Sequence, residues 1–249
     1  MKFKILFLAI LSNFVWSGEI VVAVSANVSY VIDKLKSEFN KLYPDTKVQV
    51  ILGSTGKLTA QIKNQAPYQI LMGANMDYPN ALYSEGFAIT KPVVYAKGSL
   101  AYLSTKKRDF SKGIKLLESK EIKKIAVANP KTAPYGIATK EALINAKIYN
   151  NIKDKFVYGE SISQTVIYTL KVADIGIIAK SALYSPKMSA YKEGINWESV
   201  DRKLYTPIEQ GIVILKSGKD NREVKNFYDF ILSPKAKNIF EEFGYISNE

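Results

Sequence analysis

The feature of this sequence that most constrains its fold is the alternation of short apolar runs with helical stretches. The first run, IVVAV at 20–24, is β-branched and lacks polar alternation, as in a strand that is buried on both faces. In residues 28–42, apolar side chains recur at helical spacing, and Pro44 ends the pattern. KVQVIL at 47–52 and QILMGA at 69–74 continue the alternation around a second helical stretch. This order predicts a β-α-β-α-β unit with a mostly parallel sheet covered by helices.

A second α/β unit lies further along the chain, after an extended segment at 92–105. Its predicted strands are KIAVAN, KFVYG and IGIIA, and another extended segment, 203–216, leads to two C-terminal helices. Two α/β units joined by two extended segments predict two lobes connected by two crossover strands, able to close around a ligand by hinge motion. We place lobe 1 at 18–95 and 207–249 and lobe 2 at 96–206. One continuous doubly wound domain is the alternative.

The N-terminal segment predicts export. Lys2 and Lys4 precede an apolar stretch that is short for a membrane-spanning helix of ~20 residues. Val15 and Ser17 are small enough for a cleavage site, so we predict a cleaved signal peptide at residues 1–17 and a periplasmic mature protein. An uncleaved membrane anchor is the alternative.

The residue types that are missing exclude several classes of function. The chain has no cysteine and no histidine, which removes Cys-His and Ser-His-Asp catalysis, disulfides and ordinary zinc sites. It also contains no G-x-S-x-G nucleophile element and no EF-hand loop. We therefore expect a protein that is not an enzyme and has no cofactor. An exported enzyme on the same α/β scaffold is the less favoured alternative.

The net charge of +12 would attract anions, including nucleic acid. The lysines are spread along the whole chain, and no arginine cluster with interleaved aromatic residues occurs. We therefore expect a solvated lysine surface and no nucleic-acid partner, with a surface or nucleic-acid adhesin as the alternative.

Four turns from strand to helix carry residues that could hold an anion, since ligands of open α/β sheets bind beyond the carboxyl ends of the strands. These turns are SAN at 25–27, GSTG at 53–56, PYG at 134–136 and GESISQ at 159–164. Backbone N–H groups, hydroxyls and amides there would bind an anion without a basic side chain. Each turn alone could be a cap that serves only its own helix. Two turns in each lobe predict one anion between facing helix N-termini.

The GSTGK sequence at 53–57 looks like a nucleotide-binding loop but does not match one. That loop needs four residues between its glycines and a hydroxyl after its lysine. Here two residues separate Gly53 from Gly56, and Leu58 follows the lysine. We expect Lys57 to be a solvated helix lysine, and Glu160, at another of the turns, to face outward.

These motifs resemble the periplasmic molybdate-binding proteins of ABC importers, the ModA family. The resemblance covers essentially the whole mature chain, through GSTGKLTAQI, NPKTAPYGIATKEAL, IGIIAKSAL and the closing FYDFILSPKAKNIFEEFGY. It implies a bilobal α/β fold of the type II periplasmic-binding-protein class. It also implies capture of molybdate or tungstate and delivery to an ABC transporter permease. A tungstate-selective protein, or one that binds sulfate or phosphate, is the alternative. We expect a monomer, because the lobes must open and close freely.

The resemblance further implies which residues hold the oxyanion, because the family uses neutral donors from both lobes. The matching positions are Asn27 with the backbone of Ala26, Ser54, and the backbone N–H groups of Tyr135 and Ile162. Such a site accepts a dianion without a proton and disfavours hydrogen phosphate, whose proton would lack an acceptor.

One family feature is absent from this chain. Some members add a tyrosine hydroxyl after the GI strand, where this chain has Ala179. Ser181 and the Tyr135 phenol are the nearest substitutes, and we do not expect either to replace it.

Overall fold

The computed structural model describes residues 18–246, so the predicted signal peptide lies outside the described residues. The strands are β1 (Gly18–Ser25), β2 (Thr46–Gly53), β3 (Ile70–Met72), β4 (Val93–Gly98), β5 (Leu100–Leu103), β6 (Ile125–Ala128), β7 (Phe156–Gly159), β8 (Ile175–Ala179), β9 (Trp197–Ser199) and β10 (Ile208–Ile214). The α-helices are α1 (Ile32–Leu42), α2 (Thr55–Lys63), α3 (Asp77–Ser84), α4 (Pro134–Asn145), α5 (Tyr149–Ile152), α6 (Ile162–Lys171), α7 (Arg222–Ile231) and α8 (Pro234–Glu242). Within this part of the chain, none of the helices combines the length and the apolar character needed to span a bilayer.

The strands form two five-stranded sheets, in the orders β2-β1-β3-β10-β4 and β7-β6-β8-β5-β9. In the first sheet β1 runs parallel to β2 and β3, and β10 runs antiparallel to both of its neighbours. In the second sheet β6 runs parallel to β7 and β8, and β5 runs antiparallel to both of its neighbours. One strand in each sheet therefore opposes the other four. The predicted bilobal α/β fold is confirmed, and both sheets are mixed, since each has two parallel and two antiparallel strand pairings.

The two crossovers between the sheets lie side by side. The chain leaves the first sheet after Gly98 and enters the second at Leu100, and it returns between Ser199 and Ile208. Gly98 is paired with Ile208 at the end of the β4–β10 ladder. Since residues 96–98 still pair in the first sheet, the chain changes sheets after them. The predicted division of the whole chain into lobes stays a prediction.

Two predicted helices differ in detail from the observed ones. The stretch predicted over 28–42 divides into a 3-10 helix, Ala26–Tyr30, and α1, because Val31 between them has φ −113°. The segment predicted near 110–118 is a 3-10 helix interrupted at Gly113, whose φ of +53° is open to glycine at little cost.

The core of the first lobe lies between its sheet and the helices α1, α7 and α8. Phe39 of α1 is fully buried there, and its ring contacts Phe227 and Phe230 of α7 at centroid distances of 5.1 and 5.6 Å. The C-terminal helices therefore complete the lobe that the N-terminal strand begins. The second lobe has its own core around β6 and β8.

A carboxylate links α1 to the C-terminal helices. Glu38 lies 2.7 Å from Lys235 Nζ and 2.6 Å from Lys41 Nζ. The hydrogen bonds from Lys235 and Lys41 lower the pKa of the Glu38 carboxyl from 4.5 to about 2. The charged form is thus favoured in the folded protein.

We expect Glu38→Gln to reduce the free energy of unfolding at pH 7, and the difference from wild type to vanish as the pH falls from 4.5 toward 2. A lowered carboxyl pKa stabilises the fold above the unfolded value and loses that effect as the folded group takes up its proton. Urea unfolding of both proteins across this pH range measures the difference. The exposed Glu242→Gln at the end of α8 is the control. A Glu38→Gln deficit that persists undiminished at pH 2 would contradict the assignment.

Candidate functional site

A small cavity lies where the two lobes meet, and its empty volume is about 180 Å³. Its lining consists of buried residues from strand-to-helix turns of both lobes: Ser25, Ala26, Asn27, Ser54, Thr55, Ala74, Ala133, Pro134, Tyr135 and Ile162. The structure therefore brings all five sequence-predicted residues to one place. The lining contains no charged side chain.

Four helix N-termini point their first residues at this cavity. Ser54 is the N-cap of α2, Tyr135 is the second residue of α4, and Ile162 is the first residue of α6. Ala26 and Asn27 begin a 3-10 helix. N–H groups in a first turn have no partner within their helix, and the helix dipole makes that end positive. An anion in the cavity would therefore meet unpaired donors from both lobes.

The Ser54 hydroxyl is a free donor at the cavity. Ser54 is only 4% exposed, and its Oγ makes no hydrogen bond to any described residue. Its side chain does not cap α2. Ser161, by contrast, caps α6 by accepting a hydrogen bond from Gln164 N at 3.3 Å. A buried hydroxyl without a partner lowers the stability of the fold by about 1–3 kcal/mol. The free Ser54 hydroxyl therefore indicates that a ligand supplies its partner.

Asn27 contacts the cavity with its backbone rather than with its amide donors. The amide nitrogen donates to Gln210 Oε1 at 2.7 Å and to Tyr245 Oη at 3.0 Å. The carbonyl oxygen of Asn27 accepts from Tyr245 Oη at 2.9 Å and from Ser181 Oγ at 3.2 Å. These bonds fix the turn and leave the backbone N–H for a ligand. The side-chain Oδ1 has no partner among the described residues.

Tyr135 likewise offers its backbone N–H and not its phenol. The hydroxyl accepts a hydrogen bond from Gln210 Nε2 at 3.2 Å. Burial raises the pKa of the Tyr135 phenol well above its ordinary value. Ser181 is engaged with Asn27, and Ala179, buried at the end of β8, does not line the cavity. Neither hydroxyl therefore supplies the missing family tyrosine.

Sequence reasoning missed a pair of hydroxyls within the predicted turns. Ser25 Oγ and Thr55 Oγ1 lie 2.7 Å apart, and the N–H of Ala74 donates to Thr55 Oγ1 at 3.1 Å. Because one hydroxyl proton is used between the two side chains, the other is available to a ligand. The sequence does contain a signal for these two hydroxyls, since Ser25 directly precedes the predicted residue Ala26 and Thr55 directly follows the predicted residue Ser54.

Two charged residues at the turns, Lys57 and Glu160, do not line the cavity. Lys57 and Glu160 are both about half exposed and form an ion pair at 2.9 Å. Glu160 faces outward as predicted, whereas Lys57 is paired rather than simply solvated. Within residues 18–246, no group of three or more acidic residues is placed to hold a metal ion.

We expect Tyr135→Phe to lower the free energy of unfolding by about 1–3 kcal/mol, because Gln210 Nε2 would lose its buried acceptor. Anion binding should be retained, since the backbone N–H at position 135 is unchanged. Urea unfolding and titration calorimetry measure the two effects. Tyr83→Phe, at a 38% exposed position, is the control and should change stability by less than about 0.5 kcal/mol. Loss of anion binding in Tyr135→Phe would contradict a role for Tyr135 through its backbone N–H alone.

The chain is similar to characterised proteins over nearly its whole length. The profile of the bacterial extracellular solute-binding protein family matches residues 20–246. The molybdate-binding protein ModA of Azotobacter vinelandii is 34% identical, covering 92% of this chain and 90% of its own. The ModA of Rhodobacter capsulatus is 31% identical, covering 93% of this chain and 89% of its own. The structure of the Azotobacter vinelandii periplasmic molybdate-binding protein superposes with a TM-score of 0.85 at 28% identity, over 92% of this chain and 100% of that one.

Proposed function

Because the chain belongs to the family of bacterial extracellular solute-binding proteins, we propose that it captures molybdate or tungstate and delivers the ion to an ABC importer. In this proposal it acts in the periplasm after removal of the signal peptide. It binds without catalysing a reaction and works as a monomer with a membrane permease as its partner. The molybdate-binding relatives and the uncharged cavity support the choice of ion.

The observation that carries the proposal is the unpartnered, buried hydroxyl of Ser54 in a cavity where helix N-termini of both lobes meet. A tetrahedral dianion offers oxygen acceptors in several directions at once. Hydrogen bonds to a charged acceptor are about twice as strong as neutral ones, so a few well-placed donors suffice. Donors in the two lobes can be satisfied together only when the lobes are closed on the ion.

The size and chemistry of the cavity limit the ligand. The space that the centre of a water-sized sphere can occupy in this cavity is about 10 Å³, far below the ~300–1,000 Å³ of pockets for organic solutes. The lining has no carboxylate to take the proton of hydrogen phosphate, which favours a fully deprotonated oxyanion. Asn27 Oδ1 is an unpartnered neutral acceptor in the lining, so phosphate is a necessary competitor in any test.

Thermal unfolding of the mature protein with molybdate, tungstate, sulfate or phosphate tests the proposal. A ligand at ~1,000 times its dissociation constant stabilises the fold by about 4 kcal/mol. We expect a large rise in Tm with molybdate and tungstate and none with sulfate or phosphate. A rise in Tm with sulfate or phosphate alone would support an oxyanion-binding protein but contradict molybdate and tungstate as its ligands. No rise with any of the four would remove the proposal.

We expect Ser54→Ala to weaken molybdate binding by about 10- to 100-fold, since a hydrogen bond to a charged group contributes about 1.5–3 kcal/mol. The unliganded variant should be as stable as wild type, because the removed hydroxyl has no partner among the described residues. Ser233→Ala is the matched control. Ser233 caps α8 by accepting from Ala236 N, so its loss should cost about 1 kcal/mol of stability and leave binding unchanged. Undiminished binding by Ser54→Ala would exclude its hydroxyl as a ligand.

A further inference from the structure

Two residues of the GSTGK sequence, Gly56 and Lys57, contact the opposite lobe instead of the cavity. The N–H of Gly56 donates to the carbonyl of Thr132 at 2.9 Å. The Nζ of Lys57 lies 2.9 Å from Glu160 Oε1. Thr132 and Glu160 both belong to lobe 2, and Thr132 Oγ1 donates to the Glu160 carbonyl at 3.2 Å. The start of α2 is thus joined to one connected patch of lobe 2.

The contact at Gly56 requires a residue without a side chain. A Cβ at this position would lie 2.9 Å from the Thr132 carbonyl oxygen and 2.8 Å from Tyr78 Oη. The tyrosine hydroxyl ends a flexible side chain, but the carbonyl belongs to backbone. Gly56 is in the first turn of α2 at an ordinary negative φ, so helix geometry alone does not call for glycine. Its absence of a side chain instead permits the lobes to approach.

None of the four contacting residues lines the cavity. Their neighbours in sequence do, because Ser54 and Thr55 precede Gly56, and Ala133 follows Thr132. The contacts therefore lie beside the cavity and join its two walls.

We propose that Gly56 and Lys57 of lobe 1 form a latch with Thr132 and Glu160 of lobe 2. This latch holds the lobes closed and sets how fast the anion leaves. The effect on the anion rests on the proposed function, whereas the effect on lobe closure does not. The latch residues are positioning residues, since they act through closure and not through contact with the ion.

A competing role for Lys57 is attraction of the anion by its positive charge. The two roles differ in what they predict for Glu160→Lys. Charge attraction predicts tighter binding, because a negative charge near the cavity becomes positive. The latch predicts weaker binding, because two lysines would then face each other across the lobes.

The charge test compares Lys57→Glu, Glu160→Lys and the double reversal by stopped-flow dissociation of molybdate. We expect each single reversal to raise the dissociation rate about three- to tenfold, as an exposed ion pair and its like-charge replacement would. The double reversal should return to within about twofold of wild type. Slower dissociation from Glu160→Lys, or additive effects in the double variant, would overturn the latch.

The matched control is an ion pair within one lobe. Lys63 and Glu85 lie 2.7 Å apart with side chains about 40% exposed, and both belong to lobe 1. The same reversals there change the same charges without touching the contact between lobes. Their dissociation rates should equal that of wild type.

A neutral variant tests the close approach itself. Gly56→Ala should speed dissociation while leaving the urea midpoint of the anion-free protein unchanged or higher, because alanine favours a helix over glycine. A merely structural glycine would instead lower the midpoint. Unchanged dissociation in Gly56→Ala would show that the lobes do not need this contact.

A readout of closure separates the latch from the proposed function. Since the chain has no cysteine, spin labels can be placed at the exposed positions Ser37 in lobe 1 and Lys171 in lobe 2. Distances between the labels are measured without anion and with molybdate, tungstate, sulfate or phosphate. The latch predicts longer distances than in wild type for Glu160→Lys and for Gly56→Ala. It predicts the wild-type distance for the double reversal of Lys57 and Glu160. Distances equal to wild type under every condition would overturn it, even where molybdate binds. If the variants show longer distances but the protein binds none of the four anions, the latch is supported and the proposed ligand is contradicted.

Discussion

A dianion that leaves water must be compensated by donors that are already oriented, because an uncharged cavity offers no counter-ion. This requirement explains why helix N-termini from both lobes meet at one point. Each N-terminus supplies unpaired N–H groups and a positive dipole end, and no flexible side chain has to be ordered to provide them. The lysine-rich surface is separate from this point, since no lysine lines the cavity. The net positive charge therefore attracts anions at long range, whereas the neutral donors of the cavity select among them.

The hydrogen-bond network behind the cavity holds the N-termini in place. Gln210 is fully buried on β10, the strand that follows the second crossover. It accepts from Asn27 of the first lobe and from Tyr95, and it donates to Tyr135 of the second lobe. The register of the β4–β10 ladder shifts directly after Gln210. One side chain at the crossover thus links a cavity residue of each lobe, so movement of the lobes and alignment of the donors are coupled.

Much of this arrangement was predictable from the sequence because it depends on local pattern. β-branched runs and helical spacing located the strands, the helices and the turns between them, and the family resemblance then selected five residues of these turns that are among those lining the cavity. The direction of the Asn27 amide was not predictable. It depends on Gln210 and Tyr245, which are 183 and 218 positions away in sequence. The pairing of Lys57 with Glu160 was hidden for the same reason, since it exists only where the lobes meet. Local chemistry identified the turns, and tertiary contacts decided which polar atoms of these residues are already hydrogen-bonded and which remain free at the cavity.

We propose that neutral donors of both lobes hold one oxyanion. Anomalous diffraction from crystals grown with tungstate tests it most directly, because the tungsten atom marks the position of the ion. We expect one strong peak within the cavity, with oxygens within hydrogen-bond distance of Ser54 Oγ and of the backbone N–H groups of Asn27, Tyr135 and Ile162. A peak among surface lysines, or one that contacts a single lobe, would contradict it.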